Sequence, residues 1–239
     1  MNHPPSESNP SGAPKPTPTQ AGGNVPDAVF TNQEPSTNEN AAKSLGPMFL
    51  ASGSPRRRQL LEEYGYLFNV IIPSPGAESG MCSSETPVQL VIRLAQQKAA
   101  DIVPQVEHGI VLAADTVAHC QGTILGKPHN RQHAKEMLSM MSGQVHQVYT
   151  GVCIWHRPTN TILRNVVKTD LRMDELSQSV IEEYLDTDAW EGKSGAFGFQ
   201  DGLDWVHIIE GEATNVVGLP MPQLAQMLAL VEKEITGLA

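Results

Sequence analysis

The stretch GIVLAADTVAHC, residues 109–120, decides how this chain folds. Its first half is almost continuously apolar, the pattern of a strand covered on both faces inside a sheet. Asp115 then interrupts the apolar run, with Thr116 behind it. A carboxylate buried there without a partner is costly, so Asp115 has to face a partner, a metal or a wet cleft. Ligand sites in open α/β sheets lie at the C-terminal ends of strands, which places Asp115 where chemistry is expected.

Outward from this strand, strand-like and helix-like segments alternate. Residues 48–52 (MFLAS) read as a short buried strand. Ser54-Pro55 then reads as a helix start, because serine caps well and proline tolerates the first helical position, where its missing N–H costs nothing. Leu60, Leu61 and Tyr64 form that helix's apolar stripe, and Gly65 is placed to end it. Residues 68–73 read as a second strand. Thr86-Pro87 repeats the cap signal, and Val88, Val91, Ile92, Ala95, Ala99 and Ile102 recur at helical spacing.

Downstream, residues 121–123 make a turn. A helix over 131–142 buries Ala134, Met137, Leu138 and Met141. Strands at 145–156 and 161–173 form an antiparallel hairpin about Pro158-Thr159-Asn160. A helix follows at 177–186, a glycine-rich loop at 192–200, a short strand at 206–209 and a closing helix at 220–235 that buries Leu224, Met227, Leu228 and Val231. Crossovers together with a hairpin predict an α/β fold on a mixed central sheet. Residues 1–46 hold eight of the 18 prolines and, among large aliphatic and aromatic residues, only Val25, Val29, Phe30 and Leu45. Such a segment cannot offset its ordering entropy, so a disordered tail is expected over 1–46 and the folded domain over 47–239.

The chain has 239 residues, 40% of them hydrophobic, and a net charge of −10. It lacks the basic footprint of a nucleic-acid binder. Any bound anion has to be held by local groups against the overall field. Cys82, Cys120 and Cys153 are odd in number and form no paired motif, so they read as small neutral side chains. No apolar run approaches the ~18 residues that span a bilayer. The opening MNHPPSESNP lacks a secretory leader's basic-then-apolar pattern, and a cytoplasmic location is expected.

Four segments carry residues suited to chemistry. Gly53-Ser54-Pro55-Arg56-Arg57-Arg58 lies between a strand and a helix start. A helix N-terminus with guanidinium groups suits phosphate; read alone, the segment is more simply an ordinary capped helix with solvated arginines. Asp115-Thr116 is the second. Lys127, held between Gly126 and Pro128, is the third and by itself is a solvated turn lysine. GAFGFQ, residues 195–200, with Lys193 just before it, is the fourth; its glycines admit close approach of backbone and Gln200 offers a paired donor and acceptor. His129 and His133 share a helix face but lack a third ligand nearby, and a solvated helix start is the simpler reading.

Taken in order, LASGSPRR, RLAQQKA, AADTV, LGKP, MLSMMSGQVHQVYTGV, GKSGAFGFQ and NVVGLP resemble the Maf-like nucleotide pyrophosphatases, from about Met48 to Leu230. The resemblance implies a two-lobed fold related to the inosine-triphosphate pyrophosphatases, and a homodimer as the frequent assembly. It implies hydrolysis of a nucleoside triphosphate to the monophosphate and pyrophosphate with Mg²⁺ or Mn²⁺. Asp115 matches the general base, and Lys98 and Lys127 match lysines that stabilise phosphate charge. Ser54, Arg56 and Arg57 match the phosphate-binding loop. Glu78 aligns with an acid that joins Asp115 at the metal, although Gly76 and Ala77 precede it where the family often has a second acid.

Arg56, Thr116 and Gln200 match the subfamily acting on dTTP and UTP. A second subfamily, acting on 7-methyl-GTP, has Trp, Gln and Glu there. Ser194 and Phe197 depart from the usual Ala and Tyr. Two other readings follow from the same resemblance: a pyrophosphatase for modified pyrimidines, and a nucleotide-binding regulator of septum formation. Asp115, Lys98 and Lys127 are all present, which favours the enzyme.

Overall fold

The computed structural model describes residues 45–77 and 84–237. Apart from Leu45 and Gly46, the expected tail lies outside the described residues, as do Glu78 and Cys82. Among the described residues, seven strands form one sheet: β1 (Met48–Leu50), β2 (Phe68–Val70), β3 (Gly109–Cys120), β4 (Thr123–Leu125), β5 (Val145–Arg157), β6 (Ile162–Met173) and β7 (Val206–Glu210). The helices are α1 (Pro55–Glu63), α2 (Pro87–Ile102), α3 (Arg131–Met141), α4 (Gln178–Leu185), α5 (Ala213–Val217) and α6 (Met221–Thr236). The spatial order is β2-β1-β3-β5-β6-β7, with β4 paired to β3. β1 runs parallel to β2 and β3, and all other pairings are antiparallel, so the sheet is mixed as expected.

β3 is central, and its alternation sorts side chains between two faces. Ile110, Leu112 and Ala114 join Leu60 and Leu61 of α1 and Leu224, Met227, Leu228 and Val231 of α6 in one apolar cluster. Val111 and Ala113 face the other way, against Ala95, Ala99 and Ile102 of α2. A further cluster gathers Ala118 and Cys120 from the far end of β3 with Met137, Leu138 and Met141 of α3 and Ile181 and Leu185 of α4. Covering both faces explains why the first half of β3 needs no polar residue.

The helix starts follow local rules. Thr86 and Gln89 form a reciprocal capping box on α2, and Asn130 caps α3 by accepting from His133 N at 2.8 Å. Ser54 occupies the N-cap of α1 with Pro55 behind it, yet its side chain makes no capping hydrogen bond. Gly65 has φ +73°, so α1 closes in the left-handed conformation as expected.

Four expectations need correction. Tyr64 is the C-cap of α1 and 40% exposed rather than part of its apolar stripe, because the helix stops at Glu63. Val88 is 41% exposed because it sits in the first turn of α2, ahead of the first buried contact at Leu90; Leu90 and Leu94 complete the stripe instead. The turn expected at 121–123 is confined to Gln121 and Gly122; Thr123 already opens β4, which folds back on the end of β3. β2, at the edge of the sheet, and its neighbour β1 are each three residues long, shorter than their apolar runs.

His146 on β5 is fully buried with its ring edge-on to Phe197, centroids 5.5 Å apart. Burial pulls its pKa down to about 4, against a weaker upward push from the Gln144 backbone. Between that value and the ordinary ~6.5, the unfolded chain binds a proton that the folded chain refuses. Stability from this group is complete above pH 6.5 and falls as pH drops through the window. Between pH 7.5 and 4.5 the expected loss is roughly 2 kcal/mol. Urea unfolding at the two pH values checks it: His146→Leu should lose less stability over the same interval than the parent, and equal losses would remove His146 as the source.

Candidate active site

The alternation of β3 sends Asp115 and Thr116 to opposite faces of the sheet. Asp115 points to the α2 side, where Lys98 Nζ meets its Oδ1 at 2.5 Å and lies 3.4 Å from the Ala114 carbonyl. The pair is nearly buried, with side chains 6% and 11% exposed. Lys98 comes this close because α2 packs tightly on the sheet. Gly151, directly opposite Asp115 on β5, has no side chain, and the Val91 and Ile92 backbone of α2 occupies the space a Cβ would take.

Thr116 faces α1. There Arg57, buried, donates Nε–H to the Gly218 carbonyl at 2.7 Å, Nη1–H to Ser52 Oγ at 3.2 Å and Nη2–H to Thr116 Oγ1 at 3.0 Å. One guanidinium thus joins the end of β1, the centre of β3 and the turn before α6. Beyond Thr116 a polar seam crosses the sheet. Thr116 Oγ1 lies 2.9 Å from Thr150 Oγ1, Thr150 donates to the Asn215 carbonyl at 2.9 Å, and Asn215 Nδ2 donates to Thr169 Oγ1 at 2.9 Å. The seam separates the two apolar clusters on this face of the sheet.

Both faces open into one cleft of about 640 Å³. Its walls include the loop Ser52–Arg57, Lys98, Asp115, Thr116, Lys127, Gln200 and Gly218. Among the described residues, five cations line it (Arg56, Arg57, Lys98, Lys127, Lys193) against two carboxylates, Asp115 and Glu191, in a chain of net charge −10. The local excess of positive charge is what an acidic protein needs to hold an anion. Lys127 and Gln200 are exposed at the mouth. Arg56 reaches across to the Gly192 carbonyl at 3.4 Å; burial lowers its pKa, and nearby Asp201 opposes that shift. Lys193 is buried and paired with Asp201, and Gly198 leaves the room for that pair.

A second cavity of about 510 Å³, mostly apolar, shares Asp115, Thr116, Lys127 and Ser194 with the first. His129 and His133 lie on its edge, and His133 Nδ1 accepts from the His129 amide at 3.3 Å. Cys120 and Cys153 are buried free thiols, and burial pushes Cys153 up to about 12.

Every site residue expected from the sequence lines the cleft, save Glu78, which lies outside the described residues. Ser52, Thr150 and Asn215 fall inside the quoted motifs, but no role is legible for them in the sequence. They are neutral, and only the register and the return of α5 bring them to the site. Lys193 had a signal, its place just before GAFGFQ, but it carries the same charge as many solvated lysines.

Among the described residues no three His, Cys, Asp or Glu side chains gather as a metal cage. Mg²⁺ seldom needs one: it takes one or two carboxylates, keeps several waters and leans on substrate phosphates. Asp115 in a basic cleft suits that manner of binding. No helix among the described residues is long and apolar enough to cross a membrane.

The family model described as Maf-like protein matches residues 47–231. The chain is 53% identical to a dTTP/UTP pyrophosphatase of Rhodopirellula baltica over 187 residues, 78% of this chain and 82% of that one. It is 35% identical to a dTTP/UTP pyrophosphatase of Pyrococcus furiosus over 78% of this chain and 96% of that one. A solved nucleoside-triphosphatase, a dITP/XTP pyrophosphatase from Mycobacterium abscessus, shares 10% identity with a TM-score of 0.37, covering 80% of this chain and 98% of its own.

Proposed function

The chain belongs to the Maf-like family, and on that premise we propose that its cleft hydrolyses dTTP and UTP to the monophosphate and pyrophosphate. The observation that carries the proposal is the convergence of Asp115, Lys98, Lys127 and the loop Ser52–Arg57 on one basic cleft.

The triphosphate lies along the N-terminal end of α1. The Ser54 side chain makes no cap bond there, and first-turn N–H groups together with Arg56 face the anion. Arg57, committed to three protein oxygens, shapes this loop more than it grips phosphate. Lys127 closes on the phosphates from the mouth. Lys98 orients Asp115 through Oδ1, and Asp115 takes the proton of a water that attacks the α-phosphorus. The water oxygen bonds to that phosphorus, the bond to the bridging oxygen breaks, and pyrophosphate leaves with that oxygen. Positioned cations stabilise the charge that grows on the leaving group.

Asp115 and Glu78, with the substrate's own phosphate oxygens, would hold Mg²⁺ or Mn²⁺, which supplies charge neutralisation and an acidified water when bound. Arg56, Thr116 and Gln200 set the preference for pyrimidine triphosphates. A homodimer and a cytoplasmic location accompany this reading.

A panel of triphosphates with Mg²⁺, assayed for pyrophosphate release, tests it. Turnover of dTTP and UTP well above that of 7-methyl-GTP is expected. Turnover of 7-methyl-GTP alone sinks the substrate assignment, and binding of dTTP without consumption in calorimetry sinks the enzyme.

A further inference from the structure

The hydroxyl chain behind Thr116 has a direction that follows from its chemistry. The Asn215 carbonyl has no proton, so Thr150 donates to it at 2.9 Å. Each threonine hydroxyl has one proton. With its own proton spent on Asn215, Thr150 Oγ1 accepts from Thr116, 2.9 Å away. Thr116 thereby sends its only proton inward, away from the cleft. On its other side it accepts from Arg57 Nη2 at 3.0 Å. What Thr116 has left for a ligand is acceptor capacity and no donor.

We propose that Thr150, fully buried and directly opposite Thr116 in the register, is a positioning residue that fixes Thr116 as an acceptor, so that the cleft selects a base bearing a ring N–H donor. The proposal rests on the pyrimidine triphosphate reading above. Uracil and thymine carry such a donor at N3. Cytosine presents a bare acceptor nitrogen at the same place. To meet cytosine, both hydroxyls must rotate, and the Asn215 carbonyl must give up the Thr150 proton and keep only the Gly218 amide at 3.1 Å. Forfeiting one hydrogen bond of this kind corresponds to about a fivefold preference.

The seam makes this an arrangement of the fold rather than of one side chain. Asn215 is held by its own donations to the Val148 carbonyl at 3.2 Å and to Thr169 Oγ1 at 2.9 Å. Its carbonyl therefore stays in place to receive Thr150. Arg57 prevents Thr116 from swinging out of line, because its guanidinium is pinned at Gly218 and Ser52 as well.

The test is kcat/KM for UTP and for CTP on the full chain, on Thr150→Val and on Thr150→Ser. The valine variant has the same shape and no oxygen, so the Thr116 proton becomes available to the cleft. The UTP/CTP ratio is expected to fall at least about fivefold in Thr150→Val and to return in Thr150→Ser. A purely structural role for Thr150 would lower both substrates together and leave the ratio alone. An unchanged ratio in folded Thr150→Val overturns the proposal. If that variant does not fold, N3-methyl-UTP on the unaltered chain decides: it has the ring without the donor, and turnover equal to UTP overturns the proposal. An unaltered chain that does not hydrolyse UTP at all overturns the substrate reading itself, a result distinct from an active chain with an unmoved ratio.

Discussion

Asp115→Asn is expected to lower kcat for dTTP and UTP by about 10³-fold, the size of effect that a positioned general base supplies. The substitution keeps the shape and the acceptor oxygen that Lys98 Nζ meets at 2.5 Å, but an amide cannot take the water's proton. KM should stay level or fall, because a lysine released from its carboxylate attracts phosphate more strongly. Removing one partner of a buried ion pair can cost about 3–5 kcal/mol. Here the cost should be smaller, since Asn still accepts a hydrogen bond and the pair borders an open cleft. Steady-state kinetics beside a thermal melt separates the two effects. A folded Asn variant with more than about a tenth of parent kcat would show that another group takes the proton.

What could be read from the sequence depended on how local its cause was. The GIVLAA run needs both faces covered, and that demand sits within six residues; β3 accordingly lies between α1 and α6 on one side and α2 on the other. The helices at 131 and 177 declare themselves through Asn and Ser caps and a single apolar face. Asp115 stood out as a charge in an apolar strand, and it occupies the cleft with Lys98.

Other features have nonlocal causes. Arg57 looks like its neighbours Arg56 and Arg58 in sequence; it is set apart only where the distant oxygens of Gly218 and Thr116 meet it beside Ser52. Nothing in the sequence around NVVGLP announces an element, yet the five residues before Gly218 wind into α5, capped by the Glu212 carboxylate on the Thr214 amide. β4 is missed for a related reason: three residues gain strand character only from pairing with β3. Thr150 and Asn215 are ordinary strand and turn residues until the sheet register sets them in line behind Thr116.

Gly151→Ala is expected to be strongly destabilising, because it adds a methyl where α2 lies directly against β5. A Cβ at 151 would sit on the Val91 carbonyl oxygen, 2.5 Å from Val91 C and 2.9 Å from Ile92 N. These are backbone atoms in the middle of a helix turn, so no rotamer change relieves the clash. The helix has to lift, yet it is held down by Leu90, Val91, Ala95, Ala99 and Ile102, all buried. Overpacking of this kind costs about 3 kcal/mol, or roughly 6–12 °C in Tm for a domain of this size. The same displacement has a catalytic consequence. Lys98 lies seven residues beyond Val91 on the same helix face, about 10 Å along the axis, and moves with it. Its contact with Asp115 loosens, and kcat should fall even at temperatures where the variant is folded. Gly76→Ala is the matched control, because nothing lies within 4 Å of the position and the site is exposed. Melting curves and initial rates for the two variants decide the matter. If Gly151→Ala melts with the parent and keeps parent kcat, then α2 does not depend on that close approach, and the placement of Lys98 over Asp115 has to come from the rest of its buried face.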